Sequence, residues 1–425
     1  MKILHTSDWH LGQSFFNKSR KAEHQAFLDW LLDVIREQQV NAVIVAGDVF
    51  DTGAPPSYAR EMYNRFVVEI SQVDCTLVVL GGNHDSVAML NESKQLLACL
   101  NTHVIADVSN EEGAEADQLI ELKDQTGETG AIVCAIPFIR PRDVVASRAG
   151  ESGVQKQQAL GEAIKQHYHR IYQAAVALRE SKHLQVPIIA TGHLTALGVS
   201  QSESVRDIYI GSLDGFAAVG FPPADYIALG HIHRPQKVAK SEHIRYSGSP
   251  IPLSFDELNT AKQVVLVEFE SLPLFASAPV ITPIDVPTFQ QLAVIKGDLA
   301  TIEQQLKSFE KEDTGQPVWL CVEVESQEFL ADLPQRVQAL TEGLAVEVLQ
   351  LRRARNTSRQ TLNQREQETL AELAPLDVFA KRLELESLEG EEDRARLERI
   401  QTRFRNVVAE VEDPNISSAE GERAL

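Results

Sequence analysis

A chain of 425 residues is too long for one typical core, so two or three domains are expected. Apolar residues make up 43%, which excludes a disordered composition, and no run approaches the roughly 18 apolar residues of a membrane-spanning helix. The formal net charge of −21 argues against nucleic-acid binding by bulk electrostatics, so an enzyme acting on such a polymer would need a local basic surface, metal ions, or a partner. The opening Met1-Lys2-Ile3-Leu4-His5-Thr6-Ser7-Asp8 reaches polar residues too early for a signal peptide. Cys75, Cys99, Cys134 and Cys321 are scattered in apolar runs without a Cys-x-x-Cys pair. Buried reduced thiols, a cytoplasmic location and no membrane association are expected.

In chain order, short apolar strands first alternate with helical patterns, the mark of an α/β layered domain. Ile3-Leu4-His5 reads as a strand entering a polar loop, and the spacing of Phe27, Leu31, Val34 and Ile35 predicts a helix over 26–38. Residues 42–46 form a buried strand running into Gly47-Asp48, 57–71 a helix, and 77–80 a strand running into Gly81-Gly82-Asn83-His84-Asp85. The acidic stretch 107–128 reads as a solvated loop or hairpin. Strands at 132–136, 187–190 and 226–229 continue the series, the last two leading into Gly192-His193 and Gly230-His231-Ile232-His233. A proline-bearing connector is expected over 272–287. Beyond it, strands at 293–295, 318–324 and 345–351 alternate with helices at 299–309 and 333–340, a small α+β unit. Residues 352–368 are polar and charged, a linker or exposed helix start. In the tail, Leu397, Ile400, Phe404, Val407, Val408 and Val411 fall at three- and four-residue steps and give one apolar helical stripe. That stripe suits packing on the chain's own body and docking of a partner equally. The expected domains are therefore 1–270, 285–351 and a helical segment at 370–412.

Five clusters carry the chemistry: Asp8-x-His10, Gly47-Asp48-x-x-Asp51, Gly82-Asn83-His84-Asp85, Gly192-His193 and Gly230-His231-x-His233. In an extended segment, side chains two apart point the same way, so Asp8/His10 and His231/His233 can each aim two ligands into one space. Loops at the carboxyl ends of strands converge above a sheet, where α/β proteins place their sites. Carboxylate, amide and imidazole without thiolate suit Mn, Fe or Zn better than Ca or a soft metal. One dinuclear site that clamps a phosphate is the expectation. His5, His24, His103, His167, His169, His183 and His243 read as surface or supporting groups.

This ordered set resembles the calcineurin-like metallophosphoesterase superfamily. More narrowly, His5-Thr6-Ser7-Asp8-Trp9-His10-Leu11-Gly12, Gly47-Asp48-Val49-Phe50-Asp51, Gly81-Gly82-Asn83-His84-Asp85 and Tyr246-Ser247-Gly248-Ser249-Pro250-Ile251-Pro252 resemble the SbcD nuclease family. The resemblance implies a layered β-sandwich flanked by helices, a small α+β capping domain and a C-terminal helical tail that binds an ATPase. It implies a two-metal hydrolase of DNA, acting as exonuclease and endonuclease in break repair, recombination and replication, and associated with the nucleoid. Asp8, His10 and His233 would hold one ion, and Asn83, His193 and His231 the other, with Asp48 bridging. Mn²⁺ is the expected metal, with Mg²⁺ as an alternative. His84 would protonate the leaving oxygen, and Asp85 would orient its ring. The implied partners are DNA, the SMC-like ATPase subunit SbcC, and a second copy of the chain within a heterotetramer, contacting through helices near 58–66 and 90–100.

Two rivals remain. A phosphatase or nucleotidase of the same superfamily would keep the dinuclear site, but the arginine that clamps a monoester after the second cluster is missing from Asp51-Thr52-Gly53. A non-catalytic DNA-end scaffold would need decayed ligands, whereas all are present. No Gly-x-x-x-x-Gly-Lys-Ser/Thr loop occurs, so ATP binding by this chain itself is not expected. Candidates for DNA contact are Lys18, Arg20, Lys21, Arg140 and Arg142, each of which reads equally well as ordinary solvated surface.

Overall fold

A computed structural model describes residues 1–108, 113–145, 152–206, 208, 215–270, 278–311, 316–325 and 332–353. The chain divides into two compact units, Met1–Ala354 and Arg355–Leu425. The second lies outside the described residues, and with it the expected helical segment 370–412 and the stripe of Leu397, Ile400, Phe404, Val407, Val408 and Val411. No helix among the described residues is long and apolar enough to cross a membrane.

Two six-stranded sheets form the centre. The first runs, edge to edge, Val280–Asp285, Gln263–Glu268, Lys2–Thr6, Ala42–Val45, Thr76–Leu80 and Thr102–Ile105. Its last four strands are parallel, and the first two pair antiparallel. The second runs Gln236–Lys237, Ile244–Tyr246, Tyr226–Gly230, Ile188–His193, Thr129–Cys134 and Leu119–Lys123, parallel except at its two edges.

The period-2 alternation of strand side chains separates three cores. Ile3, Ala42, Ile44, Val78 and Leu80 meet Val133, Ile189, Tyr226 and Ala228 between the sheets. On the opposite face of the first sheet, Leu4, Val43, Val45, Leu77 and Val79 pack on helices Lys21–Gln38 and Ser57–Ser71 through Phe27, Leu31, Phe66 and Ile70. Ile132, Cys134, Ile188 and Leu229 of the second sheet pack on helix Gly153–Ser181 through Leu160, Ile164, Tyr168, Ile171 and Ala175. The order is thus helix, sheet, sheet, helix. Both faces of each central strand are covered, which is why those strands are apolar without alternation.

A third sheet, Leu292–Gly297, Val318–Val324 and Val346–Arg353, is all parallel, its crossovers made by helices Leu299–Leu306 and Leu333–Thr341. Its own core includes Ile295, Ile302, Leu320, Val322 and Val337. Trp319 stacks on Phe15 at 5.9 Å and 12°, joining this sheet to the loop that follows the first cluster.

Two expectations need correction, and one is borne out. The stretch 272–287 is no simple connector, because Val280–Asp285 is the edge strand of the first sheet, which therefore extends past residue 270. Pro283 is tolerated there because an edge strand has one side free of ladder bonds. The acidic stretch bears out its hairpin reading, since Leu119–Lys123 pairs antiparallel with Thr129–Cys134 across a turn and forms the edge of the second sheet. Cys99 is exposed, unlike Cys75, Cys134 and Cys321.

Candidate metal centre

The five clusters lie just beyond the carboxyl ends of Lys2–Thr6, Ala42–Val45, Thr76–Leu80 and Tyr226–Gly230, and at the end of Ile188–His193. Asp8, His10, Asp48, His193, His231 and His233 are each at most 3% exposed, while Asn83 is half-buried. Ligand atoms of Asp8, His10 and His233 lie within 4.8 Å of one another, as do those of Asp48, His193 and His231, and those of His10, Asp48 and His84.

The backbone achieves this differently from the expected alternation. Asp8 and His10 are not in an extended segment; their φ angles are +54° and +47°, with Asp48 at +52° and His231 at +94°. Left-handed backbone at non-glycine residues is strained and turns each side chain out of the strand direction. Backbone bonds between the first two loops hold it, Asp8 N donating to Gly47 O and His10 N to Asp48 O, both at 3.0 Å.

Proton positions follow from the partners. The Ala46 carbonyl only accepts, so His193 Nδ1, 2.8 Å away, carries the hydrogen and Nε2 presents a lone pair. That lone pair lies 2.8 Å from Asn83 Oδ1 and 3.2 Å from Asp48 Oδ2. His10 Nδ1 faces Asp51 Oδ1 at 3.1 Å, leaving Nε2 buried without a hydrogen-bond partner, 3.7 Å from Asp48 Oδ2. His231 Nδ1 is 3.1 Å from Asn83 Oδ1, and its Nε2 is also buried and without a partner. Lone pairs thus confront acceptor oxygens across a closed space. Burial opposes charge on His193, yet the Asp48 carboxylate outweighs it and carries the imidazole up to about 9. For His10, burial is likewise outweighed, by the Asp51 hydrogen bond and then by Asp48 and Asp8. His231 goes the other way, held well below its ordinary value by burial and then by the His193 charge, so positive charge is drawn to the side of the cavity beside Asp48, where a divalent cation fits. The donor set of carboxylates, an amide oxygen and imidazoles belongs to the Mn, Fe and Zn class.

His84 is half-buried at the rim, and its N–H donates to Asp48 Oδ1 at 2.9 Å. Its ring Nδ1 donates to the Asp51 carbonyl at 2.8 Å, so Nε2 is the free nitrogen. The expected orientation of this ring by Asp85 is therefore corrected. Asp85 instead accepts from the backbone N–H groups of Val49, Phe50 and Gly82 at 3.1, 3.0 and 2.9 Å, tying the second loop to the third. Burial, then the nearby Asp48 charge, pushes its carboxyl up to about 6 against those three donors.

Of the basic candidates, Arg20 is corrected outright. It is 1% exposed and donates to Glu23, Gln13 and the Pro252 carbonyl, which commits its guanidinium to the interior. Lys18 pairs with Glu347 of the third sheet, and Lys21 lies over the Tyr58 ring at 5.6 Å. Arg140 stacks over Phe138 and donates to the Asp85 carbonyl at 3.4 Å, close to the centre. Arg142 is exposed beside Asp143.

Sequence reading missed the groups behind the ligands. Ser7 donates to Asp8 Oδ2 at 2.6 Å and meets Ser247, whose Tyr-Ser-Gly-Ser motif had no assigned role. Ser204, Glu257 and Lys262 surround His233, and exposed Arg206 sits close enough for its charge to act on Asp51 and His84. No local motif marks Ser204, Arg206, Glu257 or Lys262, since they are brought to the site only by folding.

Sandwiched sheets with a buried carboxylate–imidazole cavity at their strand ends define the phosphoesterase class. Residues 1–235 match the family described as calcineurin-like phosphoesterase, and 288–387 match the type 5 capsule protein repressor C-terminal domain. The chain is 53% identical over 404 residues to the SbcD component of the nuclease SbcCD of Escherichia coli (strain K12), covering 95% of this chain and 97% of that protein. Proteins of the same name from Rhodobacter capsulatus and Bacillus subtilis are 36% and 31% identical over 275 and 272 residues, covering 63% of this chain and 66% of theirs. The chain belongs to the SbcD nuclease family of calcineurin-like phosphoesterases.

Proposed function

We propose that this chain hydrolyses phosphodiester bonds of DNA as the nuclease subunit of a complex with an SMC-like ATPase, SbcC. The observation that carries the reading is the buried set of imidazole nitrogens gathered on Asp48 and Asn83, His10 Nε2 beside Asp48 without a hydrogen-bond partner, His193 Nε2 against both and His231 Nδ1 against Asn83, within a chain whose relatives are named as nucleases. Asp8, His10 and His233 would hold one divalent ion and Asn83, His193 and His231 the other, with Asp48 between them. Mn²⁺ is the preferred metal, and Mg²⁺ the alternative. The ions supply Lewis acidity toward the phosphate and activation of water.

The chain's own residues do the rest. Asp51 and Ala46 hold protons on Nδ1 of His10 and His193, which keeps each Nε2 turned inward. The Asp51 carbonyl holds His84 in the same sense, so its Nε2 faces the rim, where it donates a proton to the leaving oxygen. Burial holds His84 below its ordinary value against the Asp48 charge, which raises it, so the donated proton is one that Nε2 carries only in the imidazolium form. Asp85 acts on the site by fixing the loops, not by touching the reacting atoms. DNA is gripped mainly by the assembled complex, a second copy of the chain and the ATPase subunit, because the net charge of −21 repels the polymer. Of the basic candidates, Arg140 is the best situated to meet a phosphate.

The test is cleavage of a labelled DNA hairpin and linear duplex with Mn²⁺ and with chelator, run beside a phosphomonoester, for the chain alone and with its ATPase partner. Metal-dependent cutting of DNA that the partner and ATP strengthen is the expected result. Monoester turnover with DNA left intact would retain the dinuclear site and overturn the substrate.

A further inference from the structure

We propose that Ser204 and Glu257 are positioning residues for His233, fixing its hydrogen on Nδ1 so that Nε2 is presented to the metal centre. The inference rests on the dinuclear reading above. Glu257 is fully buried and its carboxylate is surrounded by donors. Lys262 Nζ contacts Oε2 at 2.5 Å and Leu253 N donates to it at 2.9 Å, while Ser202 Oγ donates to Oε1 at 2.8 Å. Ser204 Oγ also bonds Oε1. A carboxylate only accepts, so the hydroxyl hydrogen of Ser204 is committed to Glu257.

What remains on Ser204 Oγ toward His233 is a lone pair. His233 Nδ1 lies 2.6 Å from it, so the hydrogen between them must belong to the imidazole. The second side of the residue is held as well, because Lys262 Nζ donates to the His233 carbonyl at 3.0 Å. One buried ion pair therefore fixes both the backbone and the ring of this histidine. His10 and His193 obtain the same proton placement from Asp51 and Ala46, which belong to the cluster loops themselves. His233 obtains it from a hydroxyl on a separate loop, the one that carries Arg206, at 2.6 Å, with Glu257 Oε1 itself farther off at 3.5 Å.

The experiment measures Mn²⁺ affinity of the full-length chain without DNA, from the paramagnetic resonance signal of free Mn²⁺, beside the thermal midpoint of the metal-free protein. Ser204→Ala should weaken one of the two Mn²⁺ equivalents about tenfold or more, the usual effect of removing a partner of a metal-bound imidazole. Its metal-free midpoint should stay at the wild-type value, and Ser204→Thr, which keeps the hydroxyl, should restore affinity. Ser202→Ala removes a bond to Glu257 and a 3.0 Å contact with Ser204 Oγ but leaves the Ser204 hydroxyl against His233, and should bind Mn²⁺ as wild type does. Equal affinity in Ser204→Ala and wild type overturns the relay, as does equal weakening by Ser202→Ala. A lowered midpoint with unchanged affinity assigns Ser204 a purely structural role and overturns it too. Failure of the wild-type chain to bind Mn²⁺ would instead overturn the dinuclear reading beneath it.

Discussion

Gly82 stands where the third strand turns into Asn83-His84-Asp85. A Cβ there would lie 2.1 Å from Asp48 Oδ1 and 2.3 Å from Asp48 N, whereas real Cβ contacts stay beyond 3.0 Å. Gly82→Ala must therefore part the loop carrying Asp48 from the loop carrying Asn83 by about 1 Å, a displacement that lowers turnover about 10²-fold when it falls on positioning groups. The two loops cannot relax independently. His84 N is bonded to Asp48 Oδ1, and Asp85 ties Gly82 N to Val49 N and Phe50 N. The strain is thus passed to the ligands Asp48 and Asn83 instead of being absorbed at the surface. The assay is Mn²⁺-dependent cleavage of a labelled hairpin, with thermal unfolding measured in parallel. Gly153→Ala is the control, since nothing lies within 4 Å of its added Cβ. It should keep wild-type turnover and change stability by about 1 kcal/mol or less. Turnover of Gly82→Ala within about threefold of wild type would refute the claim that loop spacing at this contact sets the geometry of the site.

Other outcomes follow from the same geometry. Arg20→Ala leaves the Glu23 carboxylate buried without its partner and should lower stability by about 3–5 kcal/mol; the salt dependence of DNA binding should not move, and a flattened slope would return Arg20 to the DNA surface. His84→Gln should keep Mn²⁺ binding and lose about 10²–10⁴-fold in turnover; loss of both together, seen by metal titration, would count against the separation of roles. His5 is wholly buried, its Nε2–H donating to the Leu229 carbonyl and its Nδ1 accepting from the Tyr226 hydroxyl, and burial pulls its pKa down from 6.5 to about 3. The unfolded chain then takes up a proton that the folded chain refuses, so stability falls as pH drops below 6.5 and levels off near 3. At pH 5 the loss is about 2 kcal/mol relative to pH 7.5. Denaturant unfolding of wild type and His5→Gln at the two pH values should show wild type losing more by that amount, and equal losses would reject the assignment.

The strands were legible because their two faces are both covered: runs such as Ala42–Val45 and residues 77–80 have no polar position to confuse them with a surface helix. The helix Gly153–Ser181 was not, although Leu160, Ile164, Tyr168, Ile171 and Ala175 fall at helical steps. Its other positions are mixed polar and apolar, so only the packed stripe reveals its period. The strand Val280–Asp285 was hidden by Pro283, and its residues are mostly exposed, so neither patterning nor proline argued for a sheet. At the site, the clusters were legible as sequence because glycine and ligand recur at strand ends. The relation of Asp85 to His84 was misread, because adjacency in the chain says nothing of a carboxylate that turns back to three backbone N–H groups.

The failure of simple alternation at Asp8, His10, Asp48 and His231 is itself informative about how the centre is built. A left-handed backbone at a residue with a side chain costs about 1–2 kcal/mol each time. Four such residues in one small cavity persist only if their surroundings over-determine them. The bonds that do so are mutual. Asp8 N and His10 N donate to the second loop, Leu11 N reaches Val49 O at 2.9 Å, and the Asp8 carboxylate receives His231 N at 2.9 Å from the opposite sheet. Asp8 and His231 are thus both strained and bonded to each other across the sandwich, one from each sheet. Their side chains are aimed before any cation arrives, and the protein carries the ordering term in its fold and not in its binding step. The same bonds explain why the ligand loops follow parallel strands of two sheets: only strands ending at one level can let a carboxylate on one sheet meet a backbone N–H on the other.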